Sequence, residues 1–324
     1  MSKARGMRLG LGALLLSIAA PAVVAQEAPA DVRSWLDRMN VAIEQLNYRG
    51  RFVHVIEGNA EELRIVHRFA DGVVGERISS GTGDGSEILT TGDGVRSVFP
   101  SKKLVVEESE RSTIPVASSL SYTDELEHYY QITSFARGSV ADRETQVVSI
   151  RPRDEYRYGY LLFLDQETAL PLKIQVRDEQ GQVIESILFT EISVLDSIPE
   201  YAVASSISAE GFTVKRPVDA GFESTDPELW AATRLPSGFR LSLARQSLMA
   251  GSRYPVQHLV YTDGLATVSV FIAHPDSDPD MPEGFSRLGS TNAFTLTVDG
   301  RLATAIGEVP GRTVQRIATS LDAR

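Results

Sequence analysis

PLKIQVRDEQGQVIESILFTEISV, residues 171–194, decides the fold. Leu172, Ile174 and Val176 alternate with Lys173, Gln175 and Arg177, so a two-residue period puts the apolar side chains on one face and the polar ones on the other. Asp178-Glu179-Gln180-Gly181 supplies the turn, and the chain returns through 183–194 with the same alternation. A hairpin with one apolar and one wet face belongs to an antiparallel sheet packed on one side.

The same period extends outward in both directions. Upstream, Phe52, His54 and Ile56 alternate with Val53 and Val55, and Leu63, Ile65, His67 and Phe69 with Glu62, Arg64 and Arg68. Further strands are predicted at 73–79, 87–91, 95–99, 104–107, 146–151 and 158–165. The breaks between them carry turn chemistry such as Asp71-Gly72 and Gly92-Asp93-Gly94. Residues 122–130 have a more helical pattern. Ahead of the strands, Val32, Trp35, Leu36, Met39, Ile43 and Leu46 fall at helical spacing and predict an amphipathic helix of about four turns over 31–47.

Around 196–224 the period is lost and Pro199 and Pro217 enter, which reads as a linker. A smaller unit follows. It has a segment at 230–235, strands at 239–248, 256–262, 265–273, 294–298 and 302–308, and a helix opening at Pro310 that stacks Val314, Ile317, Ala318 and Leu321. The expected organisation is a signal peptide at 1–25, a large domain at 26–198, a linker at 199–225 and a second domain at 226–324.

The leader follows from Lys3, Arg5 and Arg8, the apolar run from Leu9 to Ala20 and the small residues ending at Ala25. That run is shorter than the roughly 20 residues a spanning helix needs. The expectation is export with cleavage after Ala25. A lipid-anchored form is excluded because the chain has no cysteine, which also removes disulfides, thiol nucleophiles and Cys-based metal sites.

The whole chain carries a net charge of -11, and losing the three basic leader residues takes it to -14. Residues 225–324 hold nine Arg and ten acids, a net of -1, so 26–224 carries -13. Such a body repels nucleic acid.

No catalytic constellation, cofactor motif or metal site is expected. Gly81–Gly85 lacks the following helix of a phosphate loop, and the acidic run Asp276, Asp278, Asp280, Glu283 is interrupted by prolines and reads as a solvated loop. His67 shares an apolar face and reads as a buried, hydrogen-bonded structural histidine. No G-x-S-x-G or H-E-x-x-H stretch is present. One basic cluster stands against the acidic body: Arg151, Arg153, Tyr156, Arg157 and Tyr158. Arg and Tyr recur at binding hot spots, and Arg grips phosphate or carboxylate bidentately. The same residues also fit an Arg row on a wet strand face, partly neutralised by Asp154 and Glu155.

The stretches RPRDEYRYGYLLFLDQETALPLK (151–173), LPSGF (235–239), YTDGLATVSVFI (261–272) and GEVP (307–310) resemble, in this order, the MucB/RseB family of periplasmic regulators of the envelope-stress sigma factor sigma-E. The resemblance covers nearly all of the chain after the leader; the acidic loop at 275–283 lies outside it. It implies a mostly β, α+β protein, with a large unclosed antiparallel β-barrel cradling helices, similar to the lipoprotein carriers LolA and LolB, and a smaller α+β C-terminal domain. The implied partner is the periplasmic region of an RseA- or MucA-type anti-sigma factor, which binding would shield from site-1 proteolysis. Lipopolysaccharide or another lipid would release it. A homodimer, a lipid or lipoprotein carrier and, more remotely, a hydrolase stay open as alternatives.

Overall fold

The computed structural model describes residues 31–81, 85–108, 123, 125–216, 230–248, 254–274, 276–277 and 281–323. The expected leader, its cleavage point after Ala25, the centre of the glycine-rich loop, and Asp278 and Asp280 of the acidic run lie outside the described residues.

Helix α1 (Val32–Gln45) starts where Asp31 accepts a hydrogen bond from the Arg33 N–H at 3.1 Å, leaving Trp35, Leu36, Met39 and Ala42 on its buried face. Strands β1 (Asn47–Ile56), β2 (Asn59–Ala70), β3 (Val73–Ser80), β4 (Glu87–Thr91), β5 (Gly94–Phe99) and β6 (Leu104–Glu108) run as one antiparallel meander. After the single turn α2 (Leu126–Tyr129), strands β7 (Tyr130–Val140), β8 (Arg143–Pro152), β9 (Gly159–Asp165), β10 (Pro171–Arg177) and β11 (Val183–Leu195) form a second. Two-residue turns with positive φ at both positions, such as Asp71-Gly72 (φ 53, 76), match the strand twist and explain why these hairpins were readable.

Strand β11 pairs antiparallel with β1, Tyr48 opposite Val194, and joins the two meanders into one twelve-stranded sheet. Its order is β12-β6-β5-β4-β3-β2-β1-β11-β10-β9-β8-β7, where β12 (Thr213–Lys215) runs parallel to β6. This corrects the expected barrel. A barrel, even a partial one, brings its end strands toward pairing with a set stagger. Here the end strands β7 and β12 stand at opposite margins of an open sheet, and no sheet among the described residues closes. Among the described residues only α1 is a helix of several turns on this sheet, so no set of helices is cradled there.

The deciding hairpin behaves as read. Leu172, Ile174 and Val176 are buried, whereas Lys173, Gln175 and Arg177 are partly exposed. Ile174 and Val176 pack with Val148, Ile150, Leu162 and Leu164 against Trp35, Leu36 and Met39 of α1. Fully burying a Leu or Met side chain here contributes roughly 1.5–3 kcal/mol. His67 is buried and stacks on Tyr48 at 4.9 Å, with Nδ1 2.8 Å from the Leu46 carbonyl.

The stretch expected as linker does not begin as a free tether. Ile207, Ala209 and Phe212 pack on Leu89, Val98 and Val105, and buried Glu87 accepts from the Ser205 and Ser206 hydroxyls at 2.7 and 2.5 Å. This holds the chain along the sheet as far as β12.

The second unit contains β13 (Trp230–Ala232), β14 (Arg240–Leu248), β15 (Pro255–Thr262), β16 (Thr267–Ile272), β17 (Gly284–Leu288), β18 (Thr291–Val298), β19 (Arg301–Gly307), α3 (Gly311–Ala318) and β20 (Leu321–Ala323). Six strands make an antiparallel sheet in the order β14-β15-β16-β19-β18-β17, and β13 pairs with β20. The expected α+β unit is thus essentially all-β. Its helix is eight residues long and buries Val314, Ile317 and Ala318 in the same core as Val268, Val270 and Ala305.

Candidate functional site

The basic cluster lies at the boundary between the two units, on the end of β8 and in the loop from β8 to β9. Arg157 is completely buried, 0% exposed. A buried guanidinium is tolerated only when its donors are all answered. Its Nε donates to Asp263 Oδ2 at 2.5 Å, and its two terminal nitrogens donate to Asp154 and to the Ser237 carbonyl. The rings of Tyr129, Phe239 and Tyr130 surround the guanidinium carbon at 4.9, 5.1 and 5.6 Å. Burial works against the charge, but the hydrogen bonds and charge of Asp263 and Asp154 outweigh it and hold Arg157 above the ordinary arginine value.

Asp263 is as fully engaged. It is 2% exposed; Oδ1 accepts from the Leu265 and Ala266 N–H groups at 2.9 and 2.7 Å, fixing the β15–β16 turn, and Oδ2 also accepts from the Tyr130 hydroxyl at 2.9 Å. Burial, then the charge of Asp263, push the Tyr130 hydroxyl well above its usual value, so it stays a donor. Gly238 presses its backbone on Tyr129. With φ at +83° and a Cβ only 2.5 Å from ring carbons, the position admits glycine alone without rearrangement.

Further along the seam, the Tyr158 hydroxyl accepts from Asn292 Nδ2 at 2.9 Å, and the same nitrogen donates to the Val309 carbonyl at 2.8 Å. The Tyr156 carbonyl accepts from Thr313 Oγ1 at 2.8 Å, and Arg316 lies over the Tyr156 ring at 5.2 Å. Arg312 pairs with Glu155 and stands 3.5 Å from Glu179. Around this rim the cations come from the second unit and the acids from the first, the arrangement the uneven charge of the chain prepares.

The five expected site residues therefore separate. Arg157 and Tyr158 are buried and Tyr156 is held between the units, so the wet-face placement expected for Arg157 is corrected: its charge is spent inside the protein. Arg151 and Arg153 are exposed. Arg151 lines a groove of about 500 Å³ together with Tyr160, Arg177, Glu155 and Glu179. Arg153 turns back, donating through Nε to the Glu127 carbonyl at 3.0 Å. Asp263, Asn292, Ser237 and Tyr130 were not anticipated. Ser237 and Asp263 lie in stretches noted only for resemblance, whereas Tyr130 and Asn292 lie outside them and carry no such signal.

Those stretches meet here. Arg157 and Tyr158 come from 151–173, the Ser237 carbonyl and Phe239 from 235–239, Asp263 and Leu265 from 261–272, and the Val309 carbonyl from 307–310. Comparison with known proteins gives the same two-part division. The family model for the MucB/RseB N-terminal domain matches residues 31–207, and that for the MucB/RseB C-terminal domain matches 224–322.

The chain belongs to the MucB/RseB family.

Among its relatives, sigma factor AlgU regulatory protein MucB of Pseudomonas aeruginosa is 32% identical over 313 residues, covering 95% of this chain and 96% of the relative. Sigma-E factor regulatory protein RseB of Escherichia coli K12 is 27% identical over 318 residues, covering 97% and 96%. The complex structure of P. aeruginosa MucA/MucB contains a chain that superposes with a TM-score of 0.68 at 28% identity, covering 91% of this chain and 99% of that one. A crystal structure of MucB superposes at 0.64 with 27% identity, covering 91% and 98%. Both units of the MucB/RseB family are thus present in this chain in their usual order.

Proposed function

We propose that this protein is a periplasmic regulator of a sigma-E-type envelope-stress response that binds the periplasmic region of a membrane-spanning anti-sigma factor of the RseA or MucA kind. The observation that carries this reading is the likeness across both units to a chain of the MucA/MucB complex, over 91% of this sequence. The role is regulatory, the word that the names of the relatives use for them. In this reading the bound segment is shielded from the protease that makes the first cut, and a lipid such as lipopolysaccharide releases it. Release requires that lipid and peptide favour different states of the regulator, since a ligand that binds both states equally shifts nothing. Arg151 and Arg153, the exposed members of the cluster, are the proposed anion contacts. A plain lipid carrier fits less well, because it has no use for a second unit fastened through a buried ion pair.

The test is titration of the mature protein with the periplasmic segment of the anti-sigma factor from the same organism, followed by lipopolysaccharide. Saturable binding and protection of the segment from the first protease are expected. A segment that neither binds nor gains protection overturns the proposal.

A further inference from the structure

The groove beside Arg151 has six charged residues in its lining: Asp154, Glu155, Asp178, Glu179, Arg151 and Arg177. The acids are all committed. Asp154 accepts from buried Arg157, Glu155 pairs with Arg312, and Glu179 stands 3.5 Å from the same guanidinium. Asp178 Oδ1 accepts from the Gln180 and Gln182 N–H groups at 3.0 and 2.8 Å, which shapes the β10–β11 turn. The arginines are not committed. Among the described residues the Arg151 side chain has no hydrogen bond or ion pair. Arg177 has one neutral acceptor, Gln175 Oε1, 2.9 Å from Nη2, and its buried Nε meets no acceptor. A buried donor left in that state is costly, and the charge of Arg177 has no counter-ion among the described residues.

The sheet sets these two arginines on either side of a glycine. Arg177 on β10 is opposite Gly159 on β9, and Ile150 on β8 is opposite Tyr160. The next residue of β8, Arg151, therefore flanks Gly159 from the other side. In keeping with this, a Cβ on Gly159 would fall 3.2 Å from the Ile150 carbonyl oxygen and 3.3 Å from Pro152 Cδ. Neighbours on adjacent strands share a face, so Arg151, Gly159 and Arg177 form one row. Two strand spacings, about 10 Å, separate the two arginine backbones. Glycine leaves the middle of the row without a side chain, and two long side chains close over such a gap onto one small anion.

We propose that Arg151 and Arg177 form a two-pronged site for a phosphate group, with Gly159 as its floor. This rests on the anion contact that the proposed function gives to Arg151, and it supplies the second guanidinium. Arginine grips carboxylate and phosphate through paired N–H donors. A carboxylate has two oxygens in one plane and is filled by a single fork, whereas a phosphate keeps oxygens for a second. The acids at the rim weaken attraction from a distance, so the group is held by contact. A lipid headgroup and free phosphate share this chemistry.

Two titrations of the mature, full-length protein test the site, one with inorganic phosphate and one with phosphatidylcholine vesicles with and without phosphatidic acid. Arg151→Gln and Arg177→Gln should each weaken binding roughly ten- to a hundredfold, the loss of hydrogen bonds to a charged group. Arg177→Lys should recover only part of the loss, because the fork is gone. Lys173→Gln, the same change of charge on the same strand and face, should bind as wild type does. A loss with both probes assigns the site to the phosphate group itself, a loss with vesicles alone to a lipid headgroup, and a loss with inorganic phosphate alone to the free ion. Unfolding curves show whether each variant is folded; if Arg177→Gln is not, Arg177→Lys is read by the same criterion. Wild type that binds neither probe overturns the site. So does a folded Arg177 variant that binds as wild type does, or an equal loss in Lys173→Gln. The proposed function fails separately, since these titrations contain no anti-sigma segment.

Discussion

Arg151 and Arg157 stand six residues apart on one basic stretch and live in opposite media. Arg151 is in water, on a groove whose walls carry Glu155 and Glu179. Arg157 is sealed from water, with donors on Asp263, Asp154 and the Ser237 carbonyl and aromatic rings on its faces. The difference teaches that a cluster of like residues in sequence need not be a cluster in function. A guanidinium in water is available to a ligand and contributes little to stability, whereas a buried one is unavailable and its partners depend on it.

The largest effect should come from breaking the buried end. Arg157→Ala leaves the Asp263 carboxyl dry and without its guanidinium partner and deprives Tyr130 of its neighbouring cation, a loss of about 3–5 kcal/mol for one partner of a buried pair. Asp263→Ala should cost a similar amount. The double variant should cost clearly less than the two singles added, because each single already removes the shared bond. Arg157→Lys should not restore stability, since one ammonium cannot reach three separate acceptors with the geometry of the planar fork. Denaturant unfolding of the four proteins measures this, and strictly additive losses would break the comparison. The same variants bear on domain organisation, for which two separately folding units remain the proposal. With the seam broken, limited proteolysis should cut fastest between residues 216 and 230 and leave a first fragment that keeps β12, since that strand is paired to β6.

How much of this was legible in the sequence follows from how local each feature is. The period of two at 171–194 and the Asp-Gly turns are set by neighbouring residues, so strands and hairpins could be read one by one. Which strands meet at long range is a different matter. Pairing of β1 with β11 joins residues such as Tyr48 and Val194, and an apolar alternation fits an open sheet as well as a curled one. The barrel was expected from the resemblance and not from this alternation, and an open sheet is found. Strand β12 is three exposed residues, Thr213–Lys215, whose place comes from the pairing and not from any apolar pattern. Strand β7 begins directly after the single turn of α2, where a helical pattern gives way without a glycine or proline to mark it. The seam was hidden for the same reason: Arg157 and Asp263 lie 106 residues apart, and nothing near either one names the other.

A smaller effect tests the packing behind the buried end. Gly238→Ala places a methyl group 2.5 Å from the Tyr129 ring at a φ of +83°. Positive φ costs an alanine about 1 kcal/mol, and forcing a ring that flanks Arg157 to move adds roughly 1–3 kcal/mol. Thermal unfolding should show the destabilisation. In the Tyr129→Ala background the steric part should vanish and the backbone part remain, so an undiminished cost there would locate the strain elsewhere.

The smallest effect belongs to the exposed end, and it is the one that bears on function. Arg151→Ala and Arg153→Ala should each change stability by no more than about 0.5 kcal/mol, the usual range for surface positions. Arg153 does donate to the Glu127 carbonyl, but that bond is solvent-exposed and water can replace it. If the proposed anion contacts are right, these two variants should lose affinity for lipopolysaccharide by about 1.5–3 kcal/mol while keeping wild-type unfolding curves, the reverse of Arg157→Ala. Arg→Lys at either position should lose part of the affinity, because the charge stays and the bidentate fork goes. The acidic walls beside Arg151 sharpen the expectation further. Attraction at a distance is poor over a body this negative, so binding should depend on close contact and fall only modestly as salt rises across the range where the screening length shrinks from about 10 Å to about 3 Å. Binding curves for the lipid at two salt concentrations, with wild type and both variants, read all three points at once. Variants that bind as wild type does would leave the exposed end a solvated strand terminus, and Arg157 the one arginine of the three with a defined task.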